Sequence, residues 1–140
     1  MTADAGKEDA VAKFSKVSLA RLLTCDIALQ QLFLEVVKFF DCTVECGYRW
    51  KEAQDAAFAA GRSKLQWPRS KHNTTPSQAV DVSPYPVNYK DVQRYYYFAG
   101  QVTQFAREMK IAVRWGGDWD SDTFVNDQNF NDLVHWELVL

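Results

Sequence analysis

His72 and His135 are the only histidines in the chain, and each comes with a carboxylate: Asp81 lies downstream of His72, and Asp132 precedes His135 by three positions. A catalytic zinc ion takes three protein ligands from His and Asp or Glu and keeps a fourth position for water. His72, Asp81 and His135 would supply such a set. Their wide separation suits a sheet whose strand ends converge, whereas a structural zinc more often uses cysteine pairs. The alternative is two ordinary histidines, on a polar surface or satisfied in the core.

Four segments occur in one order: Ser70-Lys71-His72, Ala79-Val80-Asp81, Trp115-Gly116-Gly117-Asp118-Trp119 and Asp132-Leu133-Val134-His135. The set resembles the zinc peptidases that include D-alanyl-D-alanine carboxypeptidases, D-Ala-D-Ala dipeptidases and the L-alanyl-D-glutamate endopeptidases of phage endolysins. Their pattern is Ser-x-His, then Ala-x-Asp, then an acidic residue three positions before a final His. Gly47-Tyr48-Arg49 with Gln54 is similar to the family's Gly-x-Arg segment, and Gly61-Arg62-Ser63-Lys64 resembles the approach to the first ligand in the endolysin branch. The resemblance covers residues 22–140.

It implies that His72, Asp81 and His135 bind Zn2+ and that Asp132 is the catalytic carboxylate, base toward the attacking water and acid toward the leaving amine. Arg49 would stabilise the oxyanion, Ser70 would hydrogen-bond substrate or the surroundings of the ligands, and Trp119 would wall the substrate groove. Glu137 is a competing base, since it shares a strand face with His135 at i, i+2. The chain departs from the pattern between His72 and Asp81, where eight residues replace the usual six and the common glycine is missing around Thr75-Pro76. The extra length is expected to bulge outward. Val134 stands where a proline is frequent, which bears on the local turn.

These residues need elements to position them. Leu29, Leu32, Phe33, Val36, Val37 and Phe40 recur at helical spacing over residues 24–40, with Thr24 or Asp26 as cap. Residues 43–46 alternate as a strand, 51–60 read as a helix stopped by Gly61, and 63–75 as a loop. Residues 79–82 form a short apolar strand. A long helix is predicted over 89–110 with Val92, Tyr95, Tyr96, Ala99, Val102, Phe105 and Met109 inward. Residues 111–115 and 134–140 have strand composition and flank a loop rich in Gly and Asp. Without regular βαβ alternation the class is α+β, a small largely antiparallel sheet packed against helices, and the resemblance implies the Hedgehog/DD-peptidase-like form of it.

The rest of the chain narrows the partners. With 140 residues, 47% apolar and 24% charged, it has the make-up of one globular domain: a flexible leader over 1–13 and a single catalytic domain over 14–140. The formal charge of −2 offers no field for nucleic acid, and no apolar run is long enough for membrane insertion. Three cysteines fit reduced thiols, and Cys42 and Cys46, about 13 Å apart on a strand, read as packing residues. Asp118, Asp120 and Asp122 repeat like the start of a calcium loop, but Thr123 replaces the glycine and Asn129 the bidentate Glu. The alternative is a solvated loop with Gly116-Gly117 as hinge. Arg62, Lys64, Arg69 and Lys71 around Trp67 would attract the carboxylates of a peptidoglycan stem peptide.

The expected protein is a monomeric endolysin-type zinc peptidase cutting between L-Ala and D-Glu. With no secretory signal in the sequence, it would be made in the host cytoplasm and reach the wall through a separate membrane pore. Rival readings are a D-alanyl-D-alanine carboxypeptidase with the same zinc site and a non-catalytic wall-binding or phage assembly module.

Overall fold

A computed structural model describes residues 11–139. Most of the expected leader, residues 1–10, lies outside the described residues, and 11–13 precede the first helix without regular structure. The order is α1 (Lys16–Leu22), α2 (Ile27–Phe39), β1 (Cys42–Cys46), α3 (Lys51–Ala59), a single 3-10 turn (Lys71–Asn73), β2 (Ala79–Pro84), α4 (Val92–Met109), β3 (Val113–Trp115) and β4 (His135–Leu138). The strands form one sheet in the order β1-β2-β4-β3, every pair antiparallel. The α+β expectation holds.

Side chains alternate across a strand, so each strand divides its residues between two faces. Val80 and Val82 of β2, with Trp136 and Leu138 of β4, join the buried cluster that α2 and α4 cover. α2 contributes Leu29, Leu32, Phe33, Val36 and Val37, all buried at helical spacing. Trp136 meets Phe33 edge-on at 6.3 Å and stacks on Trp115 at 5.9 Å. The opposite face of the same strands carries Asp81, His135 and Glu137. A slip of one residue would exchange the two sets, placing charges in the core, so the register is held by burial.

Several boundaries differ from expectation for local reasons. Asp26, rather than Thr24, caps α2 by accepting from the Ala28 N–H at 2.9 Å; the Thr24 hydroxyl donates to the Arg21 carbonyl and accepts from Tyr48 N–H. α1 was not expected. Its buried residues are Ser18 and Leu22, so a polar residue hides half of the stripe, and Ser18 Oγ accepts from Val44 N–H at 3.0 Å. α4 starts at Val92 and buries Phe98 and Ala106, whereas Val92 is exposed. Lys110 takes the left-handed conformation that ends the helix (φ 59°).

Candidate active site

The register builds the centre. Asp81 pairs directly with His135 across β2 and β4, and Ala79 with Glu137, so the carboxylate and imidazole share one face. His72 arrives from the 3-10 turn between α3 and β2. That turn is set by a reciprocal cap, in which Ser70 Oγ accepts from His72 N–H at 3.1 Å and Asn73 Oδ1 from Ser70 N–H at 3.0 Å. Ser70 is buried, and through this cap it supports His72 while also lining the cavity above the group. The longer spacer after His72 is tied down through Ser77, whose backbone exchanges hydrogen bonds with Thr24 and Asp26, and the two ligand candidates still meet.

Three atoms converge: His72 Nε2 lies 3.1 Å from Asp81 Oδ1 and 3.2 Å from His135 Nδ1, which is 3.4 Å from the same carboxylate oxygen. The far side of each ring is anchored. His72 Nδ1 donates to the Gly47 carbonyl at 2.7 Å, and His135 Nε2 pairs with Glu137 Oε1 at 2.9 Å. Such anchors fix ring orientation and tautomer in metal-ligating histidines. Gly47 is a close approach, since a Cβ there would overlap Thr24 Oγ1 and the Arg21 carbonyl. Two imidazole nitrogens and a carboxylate oxygen, buried and mutually oriented, are donors that suit zinc and its neighbours among divalent transition metals. The group can hold a metal ion.

Contact among the three favours protonated histidines beside an ionised Asp81. Burial works against a charge on His72, but Asp81 beside it and the Cys46 thiol outweigh this and push its pKa to about 10. Burial would likewise raise Asp81, yet the two histidines hold it well below the ordinary carboxylate range. Glu137 is also lowered despite its burial, by His135 and Lys71. It forms ion pairs with Lys71 at 3.4 Å and Arg114 at 3.5 Å. A carboxylate so engaged holds the outer nitrogen of the His135 ring.

Asp132 differs. Burial, reinforced by Asp81 and partly offset by His135, His72 and Arg49, raises its pKa to about 6. Its Oδ2 stands 3.9 Å from His135 Nδ1. Gly116 holds it there: the Gly116 carbonyl accepts from Asp132 N–H at 2.9 Å and Gly116 N–H donates to the His135 carbonyl at 2.9 Å. A Cβ on Gly116 would overlap the Asp132 carbonyl. The expected glycine hinge is therefore a clamp at its first residue. Arg49 is drawn in through Nη2 on Asp81 Oδ2 at 3.1 Å and Nη1 on Gln54 Oε1 at 3.1 Å.

Above the group lies a cavity of about 470 Å³, lined among others by Arg62, Lys64, Arg69, Lys71, Trp119 and Asp132. The four cations of the predicted cluster all reach it. Trp67 does not line it and packs edge-on against Tyr48. Trp119 leans on the His135 ring at 5.4 Å and stacks with Phe130, over which Lys64 Nζ sits at 5.1 Å.

Sequence reasoning did not find the anchoring role of Gly47 or Glu137, and it read Cys46 as packing. The structure keeps that role for Cys42 only. A bulge between Val44 and Cys46 sets Cys46 opposite Asp81. There its thiol faces His72 and Arg49, which lower its pKa against the effect of burial. The His-x-Glu spacing signalled Glu137; nothing local signalled a carbonyl anchor such as Gly47.

A buried His/Asp/His group beside a carboxylate of raised proton affinity, at the floor of a basic cleft, has the make-up of a metallopeptidase centre. The chain belongs to the phage L-alanyl-D-glutamate peptidase family, whose model matches residues 10–139. It is 29% identical over 136 residues to the L-alanyl-D-glutamate peptidase of Escherichia phage T5, covering 91% of this chain and 98% of that one. The crystal structure of the Serratia marcescens L-Ala D-Glu endopeptidase ChiX superposes with a TM-score of 0.72 at 26% identity, over 94% of this chain and 93% of the other.

Proposed function

We propose that this protein is an endolysin-type zinc peptidase that hydrolyses the L-Ala-D-Glu bond of the peptidoglycan stem peptide. The observation that carries this is the convergence of His72 Nε2, Asp81 Oδ1 and His135 Nδ1 within 3.4 Å of one another, with Asp132 beside them. Family membership supports the choice of bond. His72, Asp81 and His135 would hold the zinc, which would supply Lewis acidity and lower the pKa of water toward neutral. Asp132, with its pKa at about 6, accepts the proton of the attacking water and returns it to the departing amine nitrogen of D-Glu. Arg49, held on Asp81, steadies that ligand and places positive charge where the scissile carbonyl gains negative charge.

Arg62, Lys64, Arg69 and Lys71 attract the carboxylates on the D-Glu side, and Trp119 with Phe130 walls the cleft. No helix among the described residues is long and apolar enough to cross a membrane. The protein acts as a monomer on the cell wall, made in the host cytoplasm and reaching its substrate through a separate pore.

The test pairs zinc analysis with mass spectrometry of digested muropeptides for the native protein and Asp132→Ala. The expected result is about one zinc in both and cleavage between L-Ala and D-Glu in the native protein alone. Release of terminal D-Ala would instead indicate a carboxypeptidase, and wall binding without zinc or products a non-catalytic module.

A further inference from the structure

Arg49, Arg62 and Asp132 line a second cavity as well as the first, and so form the wall between them. This second cavity measures about 550 Å³, and its remaining lining is Glu45, Cys46, Ala53, Ala57, Asp81, Tyr89 and Val134. The two differ in charge. The first is lined by five cations, Arg49, Arg62, Lys64, Arg69 and Lys71, against the two carboxylates of Asp132 and Glu137. In the second, Glu45 stands on the β1 bulge and forms no ion pair among the described residues. Its carboxylate accepts from the Tyr89 hydroxyl and, at 3.1 Å, from Ser83 Oγ, which in turn accepts from Tyr95 OH at 2.8 Å. Tyr89 is 64% exposed, its ring stacked near that of Tyr95 at 6.4 Å.

A carboxylate with spare lone pairs, a neighbouring phenol and an exposed aromatic face amid small apolar side chains are suited to N–H and O–H donors carried on a partly apolar ring. The volume exceeds what an alanine side chain fills. Resting on the peptidase reading above, we propose that this cavity receives the N-acetylated, lactyl-bearing amino sugar to which the stem's L-Ala is joined. Glu45 accepts from its amide or hydroxyl groups and Tyr89 packs on the ring. The two cavities then fix the direction of the chain across Asp132: carboxylate-bearing residues enter the basic side, and the glycan end enters the Glu45 side. Glu45 and Tyr89 are specificity residues that touch neither the metal-ligating group nor the scissile bond.

The test uses product fragments, so that it reads binding without turnover. N-acetylmuramoyl-L-alanine and N-acetyl-L-alanine are titrated calorimetrically into the full chain, and each is scored as an inhibitor of muropeptide hydrolysis. The sugar-bearing fragment is expected to bind at least about tenfold tighter. Glu45→Ala and Tyr89→Ala are each expected to remove most of that advantage. Tyr89→Phe, which keeps the ring, should retain part of it, and circular dichroism checks that each variant is folded. Equal binding of the two fragments, or an advantage that survives both alanine variants, overturns the proposal. Preference for L-alanine with a free amino group over both fragments also overturns it, because Glu45 would then read an ammonium. Failure of the peptidase reading looks different: muropeptides would not be cut between L-Ala and D-Glu at all.

Discussion

Among the described residues stand two groups of three potential ligands, His72/Asp81/His135 and Asp118/Asp120/Asp122, and they are built in opposite ways. The first is buried, with residues 1%, 8% and 7% exposed, and its free atoms point at one another because their other polar atoms are occupied. In the second, Asp120 and Asp122 are exposed and the carboxylates serve the local backbone. Asp118 Oδ2 accepts from Thr123 N–H at 3.0 Å, Asp120 Oδ1 from Asp122 N–H at 3.3 Å and Asp122 Oδ1 from Phe124 N–H at 2.8 Å. Ser121 and Thr123 adopt left-handed φ values of 57° and 73° to make these turns. Spacing in sequence collects like residues in both cases. Only the sheet register and the anchors behind each ring orient donors toward a common point before any ion arrives.

The contrast breaks most completely at His72. His72→Ala removes one of three donors and is expected to abolish zinc retention and lower hydrolysis by about three orders of magnitude or more, read by metal analysis and muropeptide assay. If zinc and activity persist, the converged group is not the metal centre.

Asp132→Asn should lower hydrolysis by about 10²–10⁴-fold while zinc remains bound. It also carries a stability signature in the metal-free protein. The folded-state pKa of Asp132, raised to about 6, means that the native state holds this proton more tightly than the unfolded chain. Its contribution to stability therefore falls as pH rises from about 4 to 6. Asp132→Asn should raise the midpoint of metal-free thermal unfolding at pH 7 and flatten its dependence over that window. A lower midpoint at pH 7 would show that the ionised carboxylate is stabilising.

The anchors can be weakened separately from the ligands. Glu137→Gln leaves all three donors but loses the charge behind His135, so zinc affinity should drop about 10–100-fold by competition with a chelating dye. A metal ion entering the native site would have to displace protons, because Asp81 and Cys46 raise the pKa of His72 to about 10 against the effect of burial. Affinity is expected to strengthen as pH rises from 6 to 8; a flat profile would place metal elsewhere.

The smallest effect belongs to the acidic loop. Asp118→Asn keeps an oxygen acceptor for Thr123 N–H, so in chelator-treated protein unfolding should move by less than about 1 kcal/mol. A larger loss would mean that the charge itself organises residues 116–130.

Periodicity made α2, most of α4 and the strand at Ala79–Pro84 readable, because each pairs a strong apolar repeat with a clear stop. α1 escaped since Ser18 occupies its buried face, and β3 and β4 came out shorter than their strand-like composition because pairing ends where the loops diverge. At the site, residue types and order marked the two histidines, Asp81 and Asp132. They did not distinguish the orienting role of Glu137, the capping role of Ser70 or the exposure of Cys46 to the centre. Each depends on what a side chain meets across the fold.

The amino-acid order by itself determined which groups can titrate or ligate, where helices and strands form, and the family pattern those residues make. The tertiary structure decided which atoms converge. Antiparallel pairing of β2 with β4 places Asp81 opposite His135, and the turn before β2 brings His72 to both. A carbonyl from Gly47 and a carboxylate from Glu137 then leave each ring one inward-facing nitrogen. Those contacts span up to 63 positions of sequence. Burial of Val80, Val82, Trp136 and Leu138 on the other face holds the register that brings them together.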